Sequence, residues 1–137
     1  MSEVSANRVF ISCVSGEFER PEARFPGLRC QLRHYLTRAD CEVKVQEDFR
    51  QTGDEDTVEK LAGYIRNCAA VLHLVGELPG AVADRKAVAD FLAAVPNFLE
   101  HHPDLRAALG DCSDLTYTQW EAFLALHYCI PLFVYAT

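Results

Sequence analysis

Four short runs rich in β-branched, aliphatic and aromatic residues recur along the chain, with helical patterns between them. They are "RVFIS" at 8–12, "CEVKVQ" at 41–46, "AAVLHLV" at 69–75 and "IPLFVYA" at 130–136. Strands that alternate with helices must return to the same end of a sheet after each helix, so the pattern predicts a parallel sheet with helices on both faces. Three runs are apolar almost throughout, as strands covered on both faces are; 41–46 alternates apolar and polar residues, as an edge strand does. The predicted strand order is therefore 2-1-3-4, with 8–12 and 69–75 central.

The helical segments carry their own signals. "GLRCQLRHYLTRA" (27–39) sets Leu28, Leu32, Tyr35 and Leu36 on one face and most of its arginines outside it. Asp56 with Glu59 forms a capping-box-like start to a helix whose inner face is Val58, Leu61, Ala62 and Ile65. Residues 76–114 form a long insertion between the third strand and the next helix. It has helical patterns of its own in "ADRKAVADFLAAV" and "PNFLEHHPDLRAALG". A connection of that length is usually functional or an interaction surface.

The 137 residues fit one domain, and half of them are hydrophobic, enough for a core. A net charge of -7 argues against a nucleic-acid surface, which needs clustered Lys and Arg. No apolar run approaches the length of a membrane span, and "MSEVSANRVFIS" lacks the pattern of a signal peptide. The 6 cysteines show no C-x-x-C pair and no zinc spacing. Several sit in apolar runs, so they read as reduced core thiols of a cytoplasmic protein.

No dinucleotide fingerprint, P-loop or nucleophile elbow occurs. Ser12-Cys13 and Val75-Gly76 stand where a phosphoacceptor receiver domain would carry acidic residues. Taken in order, "RVFISCVS", "QEDFRQTG" and "LTYTQWEAFLA" resemble the three conserved boxes of the TIR (Toll/interleukin-1 receptor-like) domain family, in its bacterial, NAD-cleaving branch. The first looks like that family's opening strand and loop, the second like its BB loop, the third like the helix that bears its glutamate. The likeness runs from Arg8 to Tyr135 apart from the insertion. It implies a flavodoxin-like TIR fold. A TIR domain would continue into a further strand and helices, so the chain is expected to be the N-terminal part of a longer, multidomain protein.

The third box raises the question of Glu121, a carboxylate in a helix that is apolar on most faces. Thr116 and Gln119 form a T-x-x-Q capping box, with Leu115 and Trp120 at the staple positions. Glu121 then lies near the helix N-terminus, where the dipole favours its charge. It shares a face with Tyr117. The loop after Ser12 is expected to converge on the same crevice, at the switch point between the first and third strands, with Glu121 facing it.

The resemblance implies cleavage of NAD+ at the ribosyl–nicotinamide bond, with NAD+ as substrate and no cofactor. An alkoxide leaving group needs a proton and hence a second carboxylate. Nicotinamide leaves NAD+ neutral, so one carboxylate suffices to steady the oxocarbenium charge on the ribose. Glu121 is the implied catalytic residue; Ser12, Cys13, Tyr117, Trp120, Asp48 and Phe49 are the implied substrate-binding ones. The family pattern is Trp-x-x-x-Glu, whereas here Tyr117 stands four before Glu121 and Trp120 is adjacent. Implied partners are other TIR domains and a C-terminal sensor or oligomerisation domain, in a bacterial antiviral defence system activated by clustering. Two other readings stay open: a non-catalytic TIR adaptor, and a nucleoside deoxyribosyltransferase-like enzyme. Plainer readings also stand beside these. Glu121 is then a helix-dipole charge, Trp120 a core residue, His73 a hydrogen-bonded core histidine and His101-His102 a solvated pair.

Overall fold

Four strands, β1 (Arg8–Ser12), β2 (Glu42–Val45), β3 (Ala70–Val75) and β4 (Leu132–Ala136), form one sheet in a computed structural model of the protein. The structure describes residues 7–18, 22–23, 25–45, 57–78, 80–103 and 115–136. The sheet order is β2-β1-β3-β4 and every neighbouring pair is parallel, as the sequence predicts. The helices are α1 (Ser15–Phe18), α2 (Leu28–Arg38), α3 (Thr57–Ile65), α4 (Arg85–Ala94), α5 (Phe98–His101) and α6 (Tyr117–His127). The whole is an α/β arrangement of the flavodoxin-like kind. Asp48 and Phe49, and the Asp56 cap, lie outside the described residues.

Strand periodicity separates two cores. Phe10 and Val71 point to one face and join Val58, Leu61 and Ile65 of α3, Phe91 of α4, and Trp120 and Leu124 of α6. Ile11, Val43, Val45 and Leu74 point to the other face, where Phe18 of α1 is buried and Leu28, Leu32 and Leu36 of α2 pack. The α2 face is narrower than its sequence suggests, because Tyr35 is 69% exposed. The register pairs Phe10 with Val71 and Ser12 with His73. Parity then puts Ser12 and His73 on the α6 face.

β4 departs from the expectation of a covered strand. Phe133, Val134 and Tyr135 are all about half exposed or more. The cysteines depart as well: Cys13 and Cys68 are buried, but Cys30 and Cys129 are exposed. Burial pushes the Cys68 thiol up to about 12, which keeps it protonated and unreactive.

The insertion is built into the core where it is described. Its first residues run beside the start of α6: Ala83 N–H donates to the Leu115 carbonyl at 2.9 Å, and Tyr117 N–H to the Ala81 carbonyl at 3.0 Å. Asp84 then caps α4 by accepting from Ala87 N–H at 2.9 Å. Phe91 meets Trp120 edge-to-face at 5.7 Å, and Phe98 meets it at 5.4 Å. Of the expected solvated pair, His101 is exposed and His102 is partly buried. The His102 Nε2 and His127 Nδ1 atoms lie 3.1 Å apart, and His101 stacks on His127.

Candidate active site

The site is set where β1 and β3 end. Thr116 opens α6 with the expected capping box: its Oγ1 accepts from Gln119 N–H at 3.2 Å, and Gln119 Oε1 accepts from Thr116 N–H at 2.9 Å. That fixes the rotation of the helix. Tyr117, Trp120, Glu121, Leu124 and Ala125 then make its buried stripe, at the i, i+3, i+4 spacing of an inward face. Glu121 therefore points at the sheet. It is fully buried, with 0% exposure, rather than facing open solvent in the crevice.

A buried carboxylate needs hydrogen-bond donors. Ser12, also 0% exposed, supplies one: its hydroxyl donates to Glu121 Oε1 at 2.6 Å. The length falls in the range of a charge-assisted O–H···O⁻ bond. His73 Nδ1 lies 2.9 Å from the same hydroxyl oxygen. Ser12 has one proton, and it goes to the carboxylate. The bond to His73 is then complete only if Nδ1 carries a hydrogen and donates it. That tautomer leaves Nε2 with a free lone pair. Burial lowers the His73 pKa from its ordinary value, which favours the neutral ring at neutral pH.

A cleft of about 370 Å³ opens beside these residues. Val14 after β1, residues 76–78 after β3, and Thr116, Thr118 and Gln119 at the head of α6 form its walls, and His73 lines it. This is the crevice at the carboxyl ends of the strands, at the switch point of the topology, where open α/β sheets bind ligands. Ser12 and Glu121 lie one and two hydrogen bonds behind the His73 ring.

The wall after β3 is held by a second buried carboxylate. Glu17 of α1 accepts from Glu77 N–H at 2.8 Å and from Leu78 N–H at 2.7 Å, and is only 4% exposed. Gly76 permits this approach, since a Cβ there would run into the Glu17 carboxylate. Gly80 follows with φ +82, a conformation that favours glycine, and a Cβ there would meet Val14 and Thr118.

The residues expected at the site divide accordingly. Ser12 and Glu121 are brought together. Cys13 is buried in the α1–α2 core. Tyr117 and Trp120 belong to the opposite core, and neither lines the cleft. The Tyr117 hydroxyl accepts from Asp84 N–H at 3.1 Å, tying the insertion to α6. The structure adds His73, Glu17 and Gly76. The signal for His73 is its register: it and Ser12 are polar residues near the ends of the two central strands, on one face. Among the described residues, no group of 3 or more His, Cys, Asp or Glu side chains could hold a metal ion. No described helix is long and apolar enough to cross a membrane. No protein-family model matches the chain, and no curated protein matches it either.

Proposed function

We propose that this chain is a TIR-like NAD+ glycohydrolase domain, which splits the ribosyl–nicotinamide bond and acts in bacterial antiviral defence when neighbouring domains cluster it. One observation carries the reading: a fully buried carboxylate, Glu121, bonded to Ser12 at the end of β1 and set behind the switch-point cleft. When ionised, a carboxylate in so dry a setting acts on the cleft with little screening. It favours the positive charge that develops on the ribose as nicotinamide leaves. That leaving group departs neutral and needs no proton, so the reaction requires no general acid opposite Glu121. The cleft volume lies within the range of small-molecule sites.

The exposed apolar residues of β4 favour a second reading, a TIR adaptor that acts through self-association, because edge strands of this kind pair with other chains. Incubation of the purified chain with NAD+ and separately with deoxynucleosides, free in solution and clustered on a scaffold, separates the readings. Release of nicotinamide from NAD+ is the expected result. Release of a base from deoxynucleosides alone would point to a deoxyribosyltransferase-like enzyme, and silence toward both would leave the adaptor.

A further inference from the structure

We infer that His73 is the base that receives the proton of the attacking water, with Ser12 and Glu121 as the residues that position its ring. The inference rests on the glycohydrolase reading of the same site. Three observations carry it. The β1–β3 register pairs His73 with Ser12. Ser12 Oγ lies 2.9 Å from His73 Nδ1 and donates its proton to Glu121, so a neutral His73 that completes the chain of bonds carries its hydrogen on Nδ1. Finally, of these three side chains only His73 lines the cleft.

Each link has a chemical consequence. The two bonds hold the imidazole in one tautomer, with the Nε2 lone pair available, as a buried carboxylate commonly does for a catalytic histidine. The reaction then balances without any further reagent. The C1′–N bond breaks and its electron pair goes to the nicotinamide nitrogen, which loses its positive charge. The water oxygen forms the new bond to C1′, and a water proton passes to His73 Nε2. Glu121, acting through Ser12, steadies the imidazolium until it releases the proton to solvent. The products are nicotinamide, ADP-ribose and one proton.

Among the described residues, the charged groups around the ring are few. Glu121 lies behind Ser12 on the α6 side; Glu77 lines the cleft on the β3 side, with Glu17 holding its backbone. The α6 residues of the wall, Thr118 and Gln119, are uncharged, and the β4 register partner is Val134.

The test combines kinetics with nitrogen NMR. His73→Asn keeps an amide N–H near the Nδ1 position and removes the basic nitrogen; His73→Gln is the second variant, should the first fold poorly. In the clustered parent, kcat for nicotinamide release is expected to fall on the acid side through a single titration. In the variants kcat should drop by about 10²-fold or more, with KM little changed and the acid limb gone. The neutral ring of the parent should show the Nδ1–H tautomer, and Ser12→Ala should lose that preference. An active parent whose His73→Asn form keeps both its kcat and its acid limb overturns the inference and leaves the glycohydrolase reading standing. A parent that shows the Nε2–H tautomer also overturns it. A parent that never releases nicotinamide overturns both.

Discussion

Ser12 and His73 are register partners on β1 and β3, and their side chains meet with 2.9 Å between Oγ and Nδ1. The contact needs only parallel pairing and the two-residue period of strands. It converts two polar residues, far apart in the chain, into one unit at the head of the sheet.

A pH dependence follows from the histidines. Burial lowers the pKa of His73, and burial together with neighbouring imidazoles lowers those of His102 and His127. Below the ordinary histidine value of about 6.5 the unfolded chain binds these protons more readily than the folded one. The stability that the neutral rings provide is thus complete above that pH and is lost as pH falls through the lowered folded values. Urea midpoints measured at small steps from pH 7.5 to 5 should decline, and His73→Asn should flatten part of the decline. A midpoint that holds constant over that range would show that these rings titrate as they do in water.

The Glu17 contact is expected to govern the cleft wall. Glu17→Gln replaces one acceptor oxygen by an N–H₂ that faces a backbone N–H, so a loss of about 1–3 kcal/mol is expected. The amides of Glu77 and Leu78 should then exchange with deuterium faster than those of β1. Gly76→Ala should loosen the same two amides by displacing the carboxylate. Unchanged exchange at both amides in both variants would mean that the wall is held by other contacts.

Phe98 tests whether the insertion belongs to the core. It is 0% exposed and packs on Phe91 and Trp120. Phe98→Ala should cost about 3–5 kcal/mol, as truncation of a buried aromatic does. A loss below about 1 kcal/mol would make the insertion an appendage, since surface changes have effects of that size.

Much of this architecture can be read from local patterns. The alternation in 41–46 marks β2 as the edge strand, and Thr116 with Gln119 marks the start of α6. Both signals depend on neighbours in the chain. Glu121 stands out because a lone acid in an apolar helix conflicts with its surroundings. His73 does not stand out, because "VLHLV" reads as a buried strand whether its histidine is structural or faces a ligand. Its partner is 61 residues away, and only the register brings the two together. Glu17 is hidden for a related reason: it bonds to backbone amides, which no side-chain pattern reveals. The reverse holds for Tyr117 and Trp120, whose aromatic character suits a substrate platform, while the rotation fixed by the Thr116 cap turns both into the core.

The most direct measurement is nicotinamide release from NAD+ by the parent and by Glu121→Gln, both clustered and both shown folded by circular dichroism. The variant keeps an oxygen for the Ser12 hydroxyl and removes the charge. The expected result is a folded variant whose rate falls by about 10²–10³-fold. A Glu121→Gln variant that cleaves NAD+ at the parental rate would contradict the account, as would a parent that leaves NAD+ intact.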